Sequence, residues 1–104
     1  MRLGRRRFTD LIERQIDVFT IDNADVLDDV AARLAAYNDA DVSEAEELYG
    51  DYVDAVETGT ELLADMRDAF ARTLSEEDAE QYEATFTRCV RKRLPQFALE
   101  LENR

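Results

Sequence analysis

The sequence contains no histidine, and that gap removes more chemistry than any motif adds. Ser-His-Asp and Cys-His catalysis, zinc sites of mixed Cys and His ligands, and carboxylate sites that rely on Glu-x-x-His cannot be assembled within one chain. Cys89 is the only cysteine, so no intramolecular disulfide can form and an oxidising compartment is not implied. One proline and three glycines supply little of the turn chemistry that a many-stranded sheet needs. No run approaches the roughly 18–20 uninterrupted apolar residues of a membrane span, and the early arginines are not followed by the apolar stretch of a signal peptide. The expectation is a soluble, cytoplasmic protein with no membrane association and no cofactor.

What is present points to helices. A chain of 104 residues has the size of one domain and can bury a moderate core. Apolar residues at 45% and charged residues at 37% describe a globular chain with a heavily charged surface. The net charge of −12 is unevenly spread. Residues 1–7 carry Arg2, Arg5, Arg6 and Arg7 with no acid; residues 8–87 hold 23 acidic against 4 basic side chains; residues 88–104 hold five basic against two acidic. The pattern is an acidic body with two basic ends.

Apolar spacing defines the segments. Phe8, Leu11, Ile12, Ile16 and Phe19 recur on one helical face, which predicts a helix over about 8–20. A second follows Asp22 or Asn23 as its cap, with Val26, Leu27, Val30, Leu34 and Tyr37 as its buried stripe. Ser43 with Glu46 forms a capping-box spacing and opens the longest segment. From there Ala45, Tyr49, Tyr52, Val56, Gly59, Leu63, Met66, Phe70 and Thr73 alternate steps of four and three, a coiled-coil-like heptad seam.

Gly59 interrupts the apolar character of that seam but not its phase. A helix ending there would have no reason to resume in register, so the pattern predicts one spine helix over about 43–74, with Gly59 as a point of close approach by a neighbour. Thr58 and Glu61 also fit a capping box, which keeps a break at Gly59 as the alternative. The column Glu47, Asp54, Glu61 and Asp68 is wholly acidic and belongs on the outer face.

Ser75 caps the last long helix, whose inner face is Tyr82, Phe86, Cys89 and Val90. Pro95 ends or kinks it. The segment beyond, QFALELENR, fits a strand or a helical turn equally well. The expected organisation is a flexible basic arm over 1–7, a single helical bundle over 8–94, and an apolar tail over 95–104 that docks on its own or a partner subunit.

Candidate chemistry is sparse. Acidic pairs act as acid and base only where burial or a close neighbour separates their pKa values, and here they lie on outer faces. The acidic stretches 22–29 and 39–50 lack the glycine and terminal glutamate of a calcium loop. Cys89 reads as a small buried apolar residue with no base or resolving cysteine beside it. No catalytic or metal site is expected, and the protein is not expected to be an enzyme.

The fold class is therefore all-α: an up-and-down bundle of about four helices around a long spine whose overhang is covered in a homodimer. The expected function is a non-enzymatic protein–protein interaction or assembly module. Its contact residues would be Tyr49, Tyr52, Val56, Gly59, Leu63, Met66 and Phe70 along the seam, and its partner a second copy, another protein, or both. The alternative is a small nucleic-acid-associated regulator. In that case Arg2, Arg5, Arg6 and Arg7, with Arg91, Lys92 and Arg93, would hold phosphates, against the repulsion of an acidic body.

Overall fold

A computed structural model describes residues 7–104. The chain forms five helices: α1 (Thr9–Asp22), α2 (Ala24–Asn38), α3 (Val42–Ala71), α4 (Glu76–Arg93) and α5 (Pro95–Glu102), with no strand among the described residues. The all-α bundle follows from the spacing, with one helix more than expected. That helix is α5, where Pro95 occupies the first turn and its missing N–H costs nothing.

The long helix is continuous. It runs 30 residues, about 45 Å, and crosses Gly59 without a break or a positive φ. Its start differs from the capping box expected at Ser43. Asp41 is the N-cap instead, accepting from the Glu44 N–H at 3.2 Å and from the Ser43 hydroxyl at 2.6 Å. The aspartate lies before the first turn and carries full negative charge toward the positive helix end, so it outcompetes the serine. Ser75 does cap α4, accepting from the Asp78 N–H at 3.2 Å. Asn23 occupies the N-cap position of α2 but makes no side-chain cap there: its amide donates back to the Phe19 carbonyl at 3.1 Å and so closes α1.

Contacts fix the directions. Arg7 meets Asp78 and Arg93 meets Glu13 and Asp17, so α1 runs parallel to α4. Tyr37 packs against Tyr49 with the rings tilted by 56° and Arg33 reaches Asp51, so α2 runs antiparallel to the first half of α3. Helix α4 returns along the second half of α3, with Phe70 against Tyr82. Helix α5 doubles back, placing Phe97 at Gly59 and the Arg104 carbonyl at Arg67.

The result is elongated, 53 × 24 × 22 Å, with a radius of gyration of 15.7 Å against about 13 Å for a compact domain of this length. The core gathers at one end. Ile12, Ile16, Leu63, Tyr82, Phe86, Val90, Phe97 and Leu101 are sealed between α1, α3, α4 and α5. Between residues 31 and 54 no side chain is fully buried. The molecule is thus a four-helix body with a two-helix hairpin, α2 and the start of α3, projecting from it.

Gly59 lies in the body and has a specific occupant. A methyl group there would overlap the edge of the Phe97 ring, and that ring is itself fully buried. The close approach is made by a side chain of the same chain rather than by a neighbouring helix backbone. Next to it the buried Thr60 hydroxyl donates to the Val56 carbonyl at 2.7 Å, which removes its unsatisfied donor without leaving the helix.

Candidate functional site

The seam of α3 is covered along part of its length only. Val56, Gly59 and Leu63 are buried against the body, and Met66 and Phe70 pack at its margin. Past Val56 the covering helices end: α4 stops at Arg93 and α5 turns away at Pro95. The same stripe then continues as Tyr52 and Tyr49 with only α2 beside it.

On this stretch the hairpin presents an apolar face to solvent. Tyr37 and Tyr49 have ring centroids 5.2 Å apart, and Tyr49 and Tyr52 are 6.3 Å apart. Leu34 lies one turn before Tyr37 on α2, on the same side. Tyr49 is 50% exposed and Leu34 39%, values of a half-covered core rather than of a finished one. Val42 at the tip is almost wholly exposed. The surroundings are acidic: residues 24–54 hold ten carboxylates, and Arg33 is their one cation. Arg33 bridges the two helices, donating to Asp29 at 2.9 Å and approaching Asp51 at 3.8 Å. Both carboxylates hold its guanidinium in the charged form, the Asp29 hydrogen bond most of all.

The basic residues behave differently. Arg2, Arg5 and Arg6 lie outside the described residues. Arg7 is bound to Asp78 at 2.8 Å and lies over the Phe8 ring. Arg91 pairs with Glu102 at 3.1 Å, while Arg93 holds Glu13 at 2.8 Å and Asp17 at 2.7 Å. Of the seven candidate phosphate ligands, Lys92 is the described one without an ion pair. Arg7, Arg91 and Arg93 spend their charge on this chain's own carboxylates, which join the start of the chain's first helix, α4 and α5.

A shallow groove between α1 and α4 is lined by Thr9, Glu13, Thr85, Arg88, Cys89 and Lys92. Cys89 sits in its floor. Burial, then the neighbouring Glu13 carboxylate, pushes its thiol above the ordinary range against the pull of Arg88 and Lys92, so little thiolate is available as nucleophile. Tyr82 is sealed in the core, donating to the Gln15 side-chain carbonyl at 2.8 Å. Burial pushes its pKa up to about 12. Among the described residues no group of three or more acidic or cysteine side chains is placed to hold a metal ion. No described helix is long and apolar enough to cross a membrane. Glu47, Asp54 and Glu61 point to solvent and Asp68 is bound to Arg67 at 2.8 Å.

Comparison of the chain with protein-family models, curated proteins and solved structures gave no match.

Periodicity alone did not separate Tyr49 and Tyr52 from Val56, Gly59 and Leu63, because all five share one helical stripe. The ends of α4 and α5 make the division. The only sequence signal for that end is Pro95.

Proposed function

We propose that the protein is a non-enzymatic interaction module that holds a helical partner against the open face of its hairpin. One observation carries this: the stripe that forms the core of the body runs on uninterrupted into a region where, among the described residues, α2 alone packs beside it and Tyr49 is left half exposed. Contiguous exposed apolar surface rimmed by polar residues marks contact sites, and tyrosines are favoured there because they give large contact area at low entropic cost. The inert thiol and the absence of histidine support a role without catalysis.

Pairing of two copies would be one form of such assembly; a different protein is another. The lone free cysteine is consistent with a cytoplasmic setting, which is adopted with this reading. Binding of nucleic acid fits less well, since Arg7, Arg91 and Arg93 are already committed to internal carboxylates.

A photo-crosslinking side chain at position 49 tests the module in cells, with Glu61 on the body as the control position. Adducts of defined size from position 49 alone are expected. Equal adducts from both positions, or none from either, would sink the reading.

A further inference from the structure

We propose that the open hairpin face takes an amphipathic helix of a partner protein whose flanks carry lysine and arginine. The statement rests on the hairpin being a docking face, and it adds the chemistry of the occupant. Shape comes first. Two antiparallel helices carry Tyr37, Tyr49 and Tyr52 in ring contact, with Leu34 partly exposed on the same side of α2, and a third helix laid over this face would continue the cover that α4 and α5 give the body. The open stretch from Ala45 to Tyr52 is about 11 Å long, two turns of helix, which suits docking of an amphipathic helix with anchors every three or four residues.

Charge then selects among helices. The hairpin carries ten acidic side chains against Arg33, a surplus of nine negative charges on 31 residues, and Arg33 is engaged by Asp29 and Asp51. A second copy of the same hairpin would bring nine more negative charges to a packed-helix spacing of about 8–10 Å, comparable to the roughly 8 Å screening length of physiological salt, so the repulsion is only partly screened. A helix with cationic flanks instead neutralises the rim while its apolar stripe covers the rings. Lysine or arginine stems also lie well over tyrosine faces. Complementary charge thus favours a basic helix over self-pairing.

The full chain is titrated with two labelled synthetic peptides of about 18 residues that share one leucine stripe and carry either lysine or glutamate at all other positions. Anisotropy at low and moderate salt reads binding, and sedimentation reads the state of the free chain. Tyr49→Ser and Leu34→Ser, which leave the charge unaltered at half-exposed sites, accompany the parent. The lysine peptide is expected to bind at least about tenfold more tightly than the glutamate peptide, and each serine variant to lose about tenfold, the loss of one good contact. Lysine-peptide binding unchanged in both serine variants would mean diffuse charge attraction and overturn the proposal. A free chain that sediments as a dimer, losing that state in the serine variants, would replace the basic helix with a second copy. Equal binding of both peptides would keep the docking face and remove the charge selection. No binding by either peptide to a monomeric chain would remove the docking face as well.

Discussion

Gly50 and Gly59 lie in the same helix, nine residues apart, and face opposite circumstances. Around Gly50, in the hairpin, an added methyl group would meet nothing within 4 Å; at Gly59, in the body, it would enter the Phe97 ring. Helix propensity is the same at both positions, so the difference is packing alone. The body has four helices round a sealed core and tolerates no added volume. The hairpin has two helices, no fully buried residue between 31 and 54, and room on its surface. One continuous helix therefore belongs half to a finished structure and half to an unfinished one.

The contrast can be tested where it is largest. Phe97→Ala should cost about 3–5 kcal/mol, as a fully buried aromatic does, seen as a lower denaturant midpoint. Adding Gly59→Ala to it should cost less than the two changes separately, because the new methyl enters the space the ring left. An additive result would mean that the ring does not occupy the notch.

The next effect is alkaline. Below pH 10 Tyr82 keeps its proton whether the chain is folded or not. From about 10 to 12 the unfolded chain loses that proton while the folded one retains it, so stability falls as pH rises and levels off above 12. The loss should be about 2–3 kcal/mol from that group. Denaturant melts across that range, repeated on Tyr82→Phe, should show the dependence shrinking in the variant.

Gly59→Ala alone sets an overpacking penalty of about 1–3 kcal/mol against a helix gain of about 1; a net loss of up to about 2 kcal/mol is the expected outcome. Smallest is Gly50→Ala, which should stabilise by up to about 1 kcal/mol. Thermal melts of the two alanine variants decide the comparison directly. Shifts of the same sign would erase the distinction between body and hairpin.

Much of the body was legible beforehand. The seam kept its phase through Gly59, and only a continuous helix explains that, so the spine could be read to within a few residues. The identity of what fills the notch was not legible, because QFALELENR is too short for its period to be assigned and its partner lies 38 positions upstream. Arg93 had the same problem: its position at a helix end accounts for its charge locally, whereas its partners Glu13 and Asp17 come from the other end of the chain. The face of the hairpin was half legible. Tyr49 and Tyr52 stood out with the rest of the stripe, but exposure is decided by where other helices stop.

The notch at Gly59 also imposes an order on synthesis. Phe97 is made 38 residues after the glycine it covers, and at about 5–20 residues per second the spine waits about 2–8 s before its plug exists. Until then nothing fills the notch, so Gly59 carries its helix cost of about 1 kcal/mol without the packing that covers it in the finished fold. A chain halted at Leu94 should accordingly exchange its amide protons fastest near residue 59, and a uniform exchange pattern along α3 would remove this sequence of events.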